Sequence, residues 1–318
     1  MSATTRAALL ILILAPLVGE VLSTSTELAI FAGRPGIFLV YLGFYGCGAL
    51  LIREFAARRG LGYASILFMG AAYGALEEGF ILKSWFDPDW MLAAVSSEAL
   101  RVAGVNALQP FMNVAYHATI SIIAPIMLVD AFTGLKGQPL LGRRGWIGAA
   151  VVFLVAALAL TRFNADYAVE PWHRLVAIAV VAVFVAAGLK AWHFKGSKER
   201  SPLALWLAGV VFVVGMFAVG TGMAPRGVHW IVILISFGIV YGLYAWFIAT
   251  TAWTHRWQYF SAGAGIVSGL LPVALVGTVA EPLKFANTIL TVLFTAGLVI
   301  LYRRRIRQPS ATGQRGAS

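Results

Sequence analysis

Glu77 and Glu78 stand side by side in the apolar stretch "GAAYGALEEGFILK" (70–83). A charged side chain at mid-bilayer costs about 2.5–3.5 kcal/mol, so ionisable groups inside a membrane usually mark function. Of two adjacent carboxyl groups in such a place, at least one is expected to be protonated, or the two to share a proton. A second ionisable group follows in the next apolar run. Gln109, Asn113, His117 and Ser121 are spaced by four, which places them on one face of a helix. Two carboxylates and an imidazole make a set for proton transfer: a general base with an electrostatic partner, or a relay. They also offer three metal ligands, the minimum for a catalytic zinc. No H-E-x-x-H motif is present and no cofactor motif is readable.

The candidate catalytic residues are therefore Glu77, Glu78 and His117. Gly70 and Gly74 form a small-residue ridge that invites close helix packing. Glu78 continues that ridge, with Glu77 beside it. Glu20, Tyr73, Lys83, Gln109 and Asn113 are the candidate substrate-binding residues. Tyr73 falls near the level of His117, and Glu20 joins from the outer end of the first span. Taken alone, Glu20 reads as an interfacial group and Lys83 as a snorkelling one. Arg53, Glu54 and Asp130 read as boundary anchors. His173, His193, His229 and His255 lie at span ends and read as interface residues. Cys47, the single cysteine, reads as a small packing residue and excludes an intramolecular disulfide.

The elements that must hold these groups are membrane helices. Hydrophobic residues make up 60% of the 318 and charged ones 12%, about half the share in a soluble domain. Mean hydropathy is +0.84. Apolar runs near the length that crosses a bilayer fall at about 7–24, 35–52, 62–84, 106–131, 147–162, 174–191, 203–222, 230–250, 261–280 and 285–302. The expected fold is all-α and polytopic, with about ten transmembrane helices. The first is read as an uncleaved helix rather than a signal peptide.

With the N-terminus in the cytoplasm, 17 of the 24 basic residues lie on the cytoplasmic side and 7 on the other. That bias predicts both termini inside. It also directs the net charge of +11 toward anionic headgroups rather than nucleic acid. The expected partners are the lipid bilayer and a membrane peptide or small-molecule substrate. The expected location is a bacterial or archaeal cytoplasmic membrane.

Polar groups concentrate in the first four spans. Residues 1–133 are expected to carry the site, 134–302 to form a supporting scaffold, and 303–318 to be a basic, disordered cytoplasmic tail. The longest connection, 85–105, places Trp85, Phe86 and Trp90 at headgroup level. A short surface helix is expected over 90–103, as a connector or as a lid.

The glutamate pair followed by a histidine in the next membrane helix resembles the glutamate-dependent intramembrane protease clan. That clan includes the CAAX-protease and bacteriocin-processing family and the PrsW-like proteases. Glu77 and Glu78 match the pair, and His117 matches the histidine. Leu82 stands where an arginine is usual, with Lys83 next to it, and Asn113 replaces the phenylalanine four before the histidine. The clan's third motif has no counterpart in a later span. The resemblance spans about 60 residues. It implies a hydrolase in which Glu77 or Glu78 activates water and His117 helps hold the oxyanion, acting on membrane peptides or prenylated chains. The competing classes are a proton-coupled secondary transporter of a small molecule and a non-enzymatic membrane scaffold.

Overall fold

The computed structural model describes residues 1–90, 101–191, 196–223 and 228–306. The chain is an α-helical bundle. Its helices are α1 (Ala3–Leu22), α2 (Leu28–Gly33), α3 (Pro35–Arg59), α4 (Tyr63–Gly74, prolonged over Ala75–Ile81) and α5 (Gln109–Thr133). They continue as α6 (Arg143–Leu160), α7 (Pro171–Lys190), α8 (Pro202–Met223), α9 (Trp230–Thr250), α10 (Arg256–Ala280) and α11 (Phe285–Ile306). Nine helices among the described residues are long and apolar enough to cross a membrane. The expected third span corresponds to α4 with its extension.

Punctuation follows backbone chemistry. Gly60 and Gly134, at φ 65° and 72°, end α3 and α5 in the left-handed conformation that glycine adopts without strain. Prolines open α3, α7 and α8, where the missing N–H costs nothing. The outer helices show large apolar side chains to their surroundings: Val155 on α6 is 62% exposed and Leu158 is 69%. Faces of this kind suit hydrocarbon. The chain is an integral, multi-pass membrane protein.

The centre is built from α4 and α5. Helix α4 packs against α5 on one side and α7 on the other, and α10 packs between α8 and the last turns of α5. A Cβ placed on Gly70 would lie 2.9 Å from the Cα of Ala118, and one on Gly74 would lie 2.8 Å from the Cβ of His117. The glycine ridge thus lets two helix backbones meet.

Among the described residues, four stretches widen into π geometry. Leu17–Leu22, Leu42–Gly46, Ala75–Ile81 and His117–Ile123 are π-helical. This i→i+5 form is rare and is found mostly at functional sites. Local sequence accounts for part of it. Pro16 immediately precedes the first stretch, and Pro125 lies two residues beyond the last, each removing an N–H from the regular ladder. Of the other two, Leu42–Gly46 contains Gly43 and Gly46, and Ala75–Ile81 follows Gly74 and contains Gly79. Buried in protein, the irregular backbone is tolerated at membrane depth.

Several expectations about the ends of helices are corrected. Arg53 is not a solvated anchor. It is buried and ion-paired with Asp130 at 2.6 Å, and it donates to the carbonyls of Gln138 and Leu135. Glu54 is fully buried and accepts from the Leu140 backbone N–H at 2.8 Å. The 134–142 loop folds back over these charges and satisfies them. Trp85 and Phe86 are buried within the protein and not exposed to their surroundings. Trp85 fills the space over Gly79, where a Cβ would come within 2.8 Å of its ring. His173 is buried as well, stacked on Phe86 at 4.3 Å. Of the surface helix expected over 90–103, residues 91–100 lie outside the described residues. Arg101–Val102 instead pairs with Val105–Asn106 as a two-stranded hairpin. Helix α11 runs to Ile306. Residues 307–318 and His193 lie outside the described residues.

Candidate functional site

Glu77, Glu78 and His117 come together. One ring nitrogen of His117, Nδ1, lies 3.2 Å from Glu77 Oε2, and the other, Nε2, lies 3.2 Å from Glu78 Oε1. The imidazole therefore sits between the two carboxylates. Nδ1 also lies 3.2 Å from Ser121 Oγ, one step along the polar stripe. Ser84 donates to Glu78 Oε2, and Asn113 Nδ2 donates to Ser84 at 3.3 Å. Tyr73 stands beside the group, its ring centre 6.0 Å from that of His117.

The π segments set this geometry. Glu77 and Glu78 lie in the π turn of Ala75–Ile81, and His117 and Ser121 in that of His117–Ile123. An extra residue per turn rotates the chain away from the i, i+4 ridge on which Glu78 was placed. Glu77 is the deeper carboxylate, its side chain 2% exposed against 13% for Glu78.

Glu20 is part of the same network and is not an interfacial residue. Both its oxygens are occupied: Thr26 donates to Oε2 at 2.5 Å, and Tyr45 Oη lies 2.5 Å from Oε1. Tyr45 is also hydrogen-bonded to Glu77 Oε1. One phenol thus joins the carboxyl groups of α1 and α4. Tyr116 closes the other side, donating to the carbonyl of Gly19. The segments bearing Glu20 and Tyr45 are the remaining two π stretches, Leu17–Leu22 and Leu42–Gly46. Every π segment among the described residues brings a side chain to this cluster.

Two of the expected binding residues lie apart from it. Lys83, in the left-handed region at φ 62°, donates to the carbonyl of Tyr167 and lies 5.9 Å from that ring. Gln109 is buried, with neither amide atom hydrogen-bonded. The buried Tyr73 Oη and Glu77 Oε2 likewise have no hydrogen-bond partner; the nearby Nδ1 of His117 is at ion-pair distance from Oε2 but not aligned for a bond. Glu77, Glu78 and His117 each offer a ligand atom within 4.8 Å of the others, so these are the residues that could hold a metal ion.

Residues 9–226 match the model of an uncharacterized membrane protein family. The chain belongs to that family. No curated protein and no solved structure matches it. The family match contains all three carboxyl groups of the network, Tyr45 and His117.

It does not extend to Asn287, a residue that the sequence reading passed over. Asn287 on α11 is fully buried and donates to the carbonyls of Val21 at 2.9 Å and Thr26 at 2.8 Å. It also accepts from the N–H of Leu28 at 2.9 Å. Thr291, one turn on, donates to the carbonyl of Leu22 at 2.8 Å. The last helix thereby grips the end of the π segment that carries Glu20. The available signal was the polar spacing of Asn287, Thr288, Thr291 and Thr295 in an otherwise apolar helix. Tyr41 and Tyr45, four apart, were a similar signal in α3.

Proposed function

We infer that the chain is an intramembrane hydrolase with Glu78 as general base, as its resemblance to the glutamate-dependent intramembrane proteases implies. The observation that carries this reading is the His117 ring between two carboxylates, 3.2 Å from each. Glu78 is the more accessible of the pair, so water and substrate meet it first. In this reading Glu78 takes a proton from a water, and the oxygen of that water attacks a carbonyl carbon of the substrate. Ser121 holds the ring through Nδ1, Glu77 lies beside it as a counter-charge, and a proton on Nε2 steadies negative charge that forms beside it. The proton taken by Glu78 leaves with the departing group. Substrates are membrane peptides or prenylated chains. Residues 1–133 supply the chemistry and 134–302 the support, with both termini cytoplasmic. The test is release of product from fluorogenic apolar and prenylated peptides by protein in liposomes. Cleavage by the wild-type protein that Glu78→Gln suppresses is expected. No cleavage by the wild type, or equal cleavage by the variant, contradicts the reading.

A second reading, proton-coupled transport, is favoured by the succession Glu20, Tyr45, Glu77, His117 and Glu78 across four helices. Substrate-dependent proton uptake into liposomes, lost in the same variant, would select it over hydrolysis.

A further inference from the structure

Gln109, in the first turn of α5, is 4% exposed, and neither atom of its amide has a hydrogen-bond partner among the described residues. A carboxamide carries one acceptor and two donors. Burying them unpaired destabilises a fold. Methionine has nearly the same shape without that penalty, so packing gives no reason for a glutamine here. Natural chains break such rules mainly at functional sites.

The position of Gln109 supplies a reason. Gln109–Tyr116 is regular α-helix, so Gln109 shares a helix face with Asn113, about 6 Å away along the axis. Asn113 Nδ2 donates to Ser84 Oγ at 3.3 Å, and Ser84 donates to Glu78. Gln109 is thus the next polar group on a line that begins at Glu78. One residue ties this end of α5 to the end of α4. The N–H of Asn106 donates to the carbonyl of Trp85 at 2.8 Å, and Asn106 Oδ1 accepts from the N–H of Leu108 at 3.0 Å and of Gln109 at 3.3 Å. Trp85, which follows Ser84, is buried too, and its indole N–H has no partner among the described residues.

We propose that Gln109 binds the backbone of an extended apolar peptide, its amide nitrogen donating to a backbone carbonyl and its amide oxygen accepting from a backbone N–H. That the peptide is also the substrate rests on the function proposed above; the binding itself does not. Along α5, Gln109 stands about 12 Å from His117, a distance that extended chain covers in about three or four residues. The contact therefore falls that far from the carbonyl presented to Glu78. A prenyl chain has neither a donor nor an acceptor, so this site reads the peptide part of a prenylated chain. No bond is made or broken at Gln109.

The test is binding of a fluorescently labelled apolar peptide to the full chain in detergent, with Glu78→Gln as the parent so that no turnover intervenes. Adding Gln109→Met should weaken binding about tenfold or more, the loss of two neutral hydrogen bonds. Without peptide, the same substitution should leave the unfolding temperature at or above that of the parent, because the fold no longer buries an unpaired amide. Peptides with one backbone N–H at a time replaced by an ester oxygen should reveal a position where the parent loses affinity and the Gln109→Met protein loses none. No binding by the parent, equal affinity in Gln109→Met, or no such ester position overturns the proposal. So does a lower unfolding temperature in Gln109→Met, failure to fold included, since that assigns the amide a partner within the fold. Wild-type cleavage can be absent while this binding is present, and present while Gln109→Met binds normally, so the two readings fail separately.

Discussion

The Cβ of His117 lies where a side chain on Gly74 would have to go: a Cβ built on Gly74 comes within 2.8 Å of it and 3.1 Å of the Asn113 carbonyl. The catalytic candidates meet because α4 offers no side chain at this point. Gly74→Ala should therefore push α4 and α5 apart and cost about 1–3 kcal/mol, as overpacking does. Gly242→Ala in α9, with nothing within 4 Å of the added atom, should leave the unfolding temperature unchanged or slightly raised. Thermal unfolding in detergent compares the two directly.

The Arg53–Asp130 pair is a buried lock between α3 and α5. Asp130 also accepts from Tyr63 at 3.1 Å. Removing one partner strands the other charge, so Asp130→Ala should cost about 3–5 kcal/mol. The Glu281–Lys284 pair, 3.0 Å apart but with the glutamate 57% exposed, should contribute less than about 1 kcal/mol. Denaturation of Asp130→Ala and Glu281→Ala in the same detergent should separate them by that margin.

Lys136, in the loop after α5, gives a pH dependence. Burial lowers its affinity for a proton below the ordinary value of 10.5, with the nearby Asp130 opposing the shift. Its ammonium lies 5.2 Å from the Tyr63 ring and 5.3 Å from that of Tyr259. Over the alkaline window below 10.5 the unfolded chain then binds more protons than the folded one at this site, so stability should rise with pH there. Lys136→Met should flatten that part of the profile, read as unfolding temperature against pH. A wild-type profile that falls across the window, unchanged in the variant, contradicts it.

Asn287→Ala removes three hydrogen bonds that α11 makes to the first helix and the turn after it. The Val21 carbonyl keeps the Thr24 N–H at 3.1 Å, but the carbonyl of the buried Thr26 loses its partner, and leaving such a group unmet costs about 1–3 kcal/mol. Because those bonds flank Glu20, the variant should also speed hydrogen exchange over 17–28, while exchange in α9 stays at the wild-type rate. Equal exchange over 17–28 would remove Asn287 from the support of the site.

Much of this arrangement was legible in the sequence, for identifiable reasons. Hydropathy located the helices because hydrocarbon demands long apolar runs. The four-residue spacing of Gln109, Asn113, His117 and Ser121, and the Gly70–Gly74 ridge, located the meeting of α4 and α5. The relative depth of Glu77 and Glu78 was not legible, because a π turn shifts register without a distinctive sequence signal. Nor was the burial of Arg53 and Glu54: it depends on the 134–142 loop folding back, which composition does not encode. Tyr45 and Asn287 escaped because a tyrosine in an apolar helix, or an asparagine near its end, is ordinary until its long-range partner is known.

The central claim is that Glu78 does chemistry rather than hold helices together. The most direct measurement is the rate of apolar-peptide hydrolysis by Glu78→Gln in liposomes, normalised to folded protein. A general base contributes about 10²–10⁴-fold to rate, so the account predicts a loss of at least about 10²-fold at an unchanged unfolding temperature. A variant that cleaves at the wild-type rate per folded molecule, or that loses activity only as far as it unfolds, contradicts it.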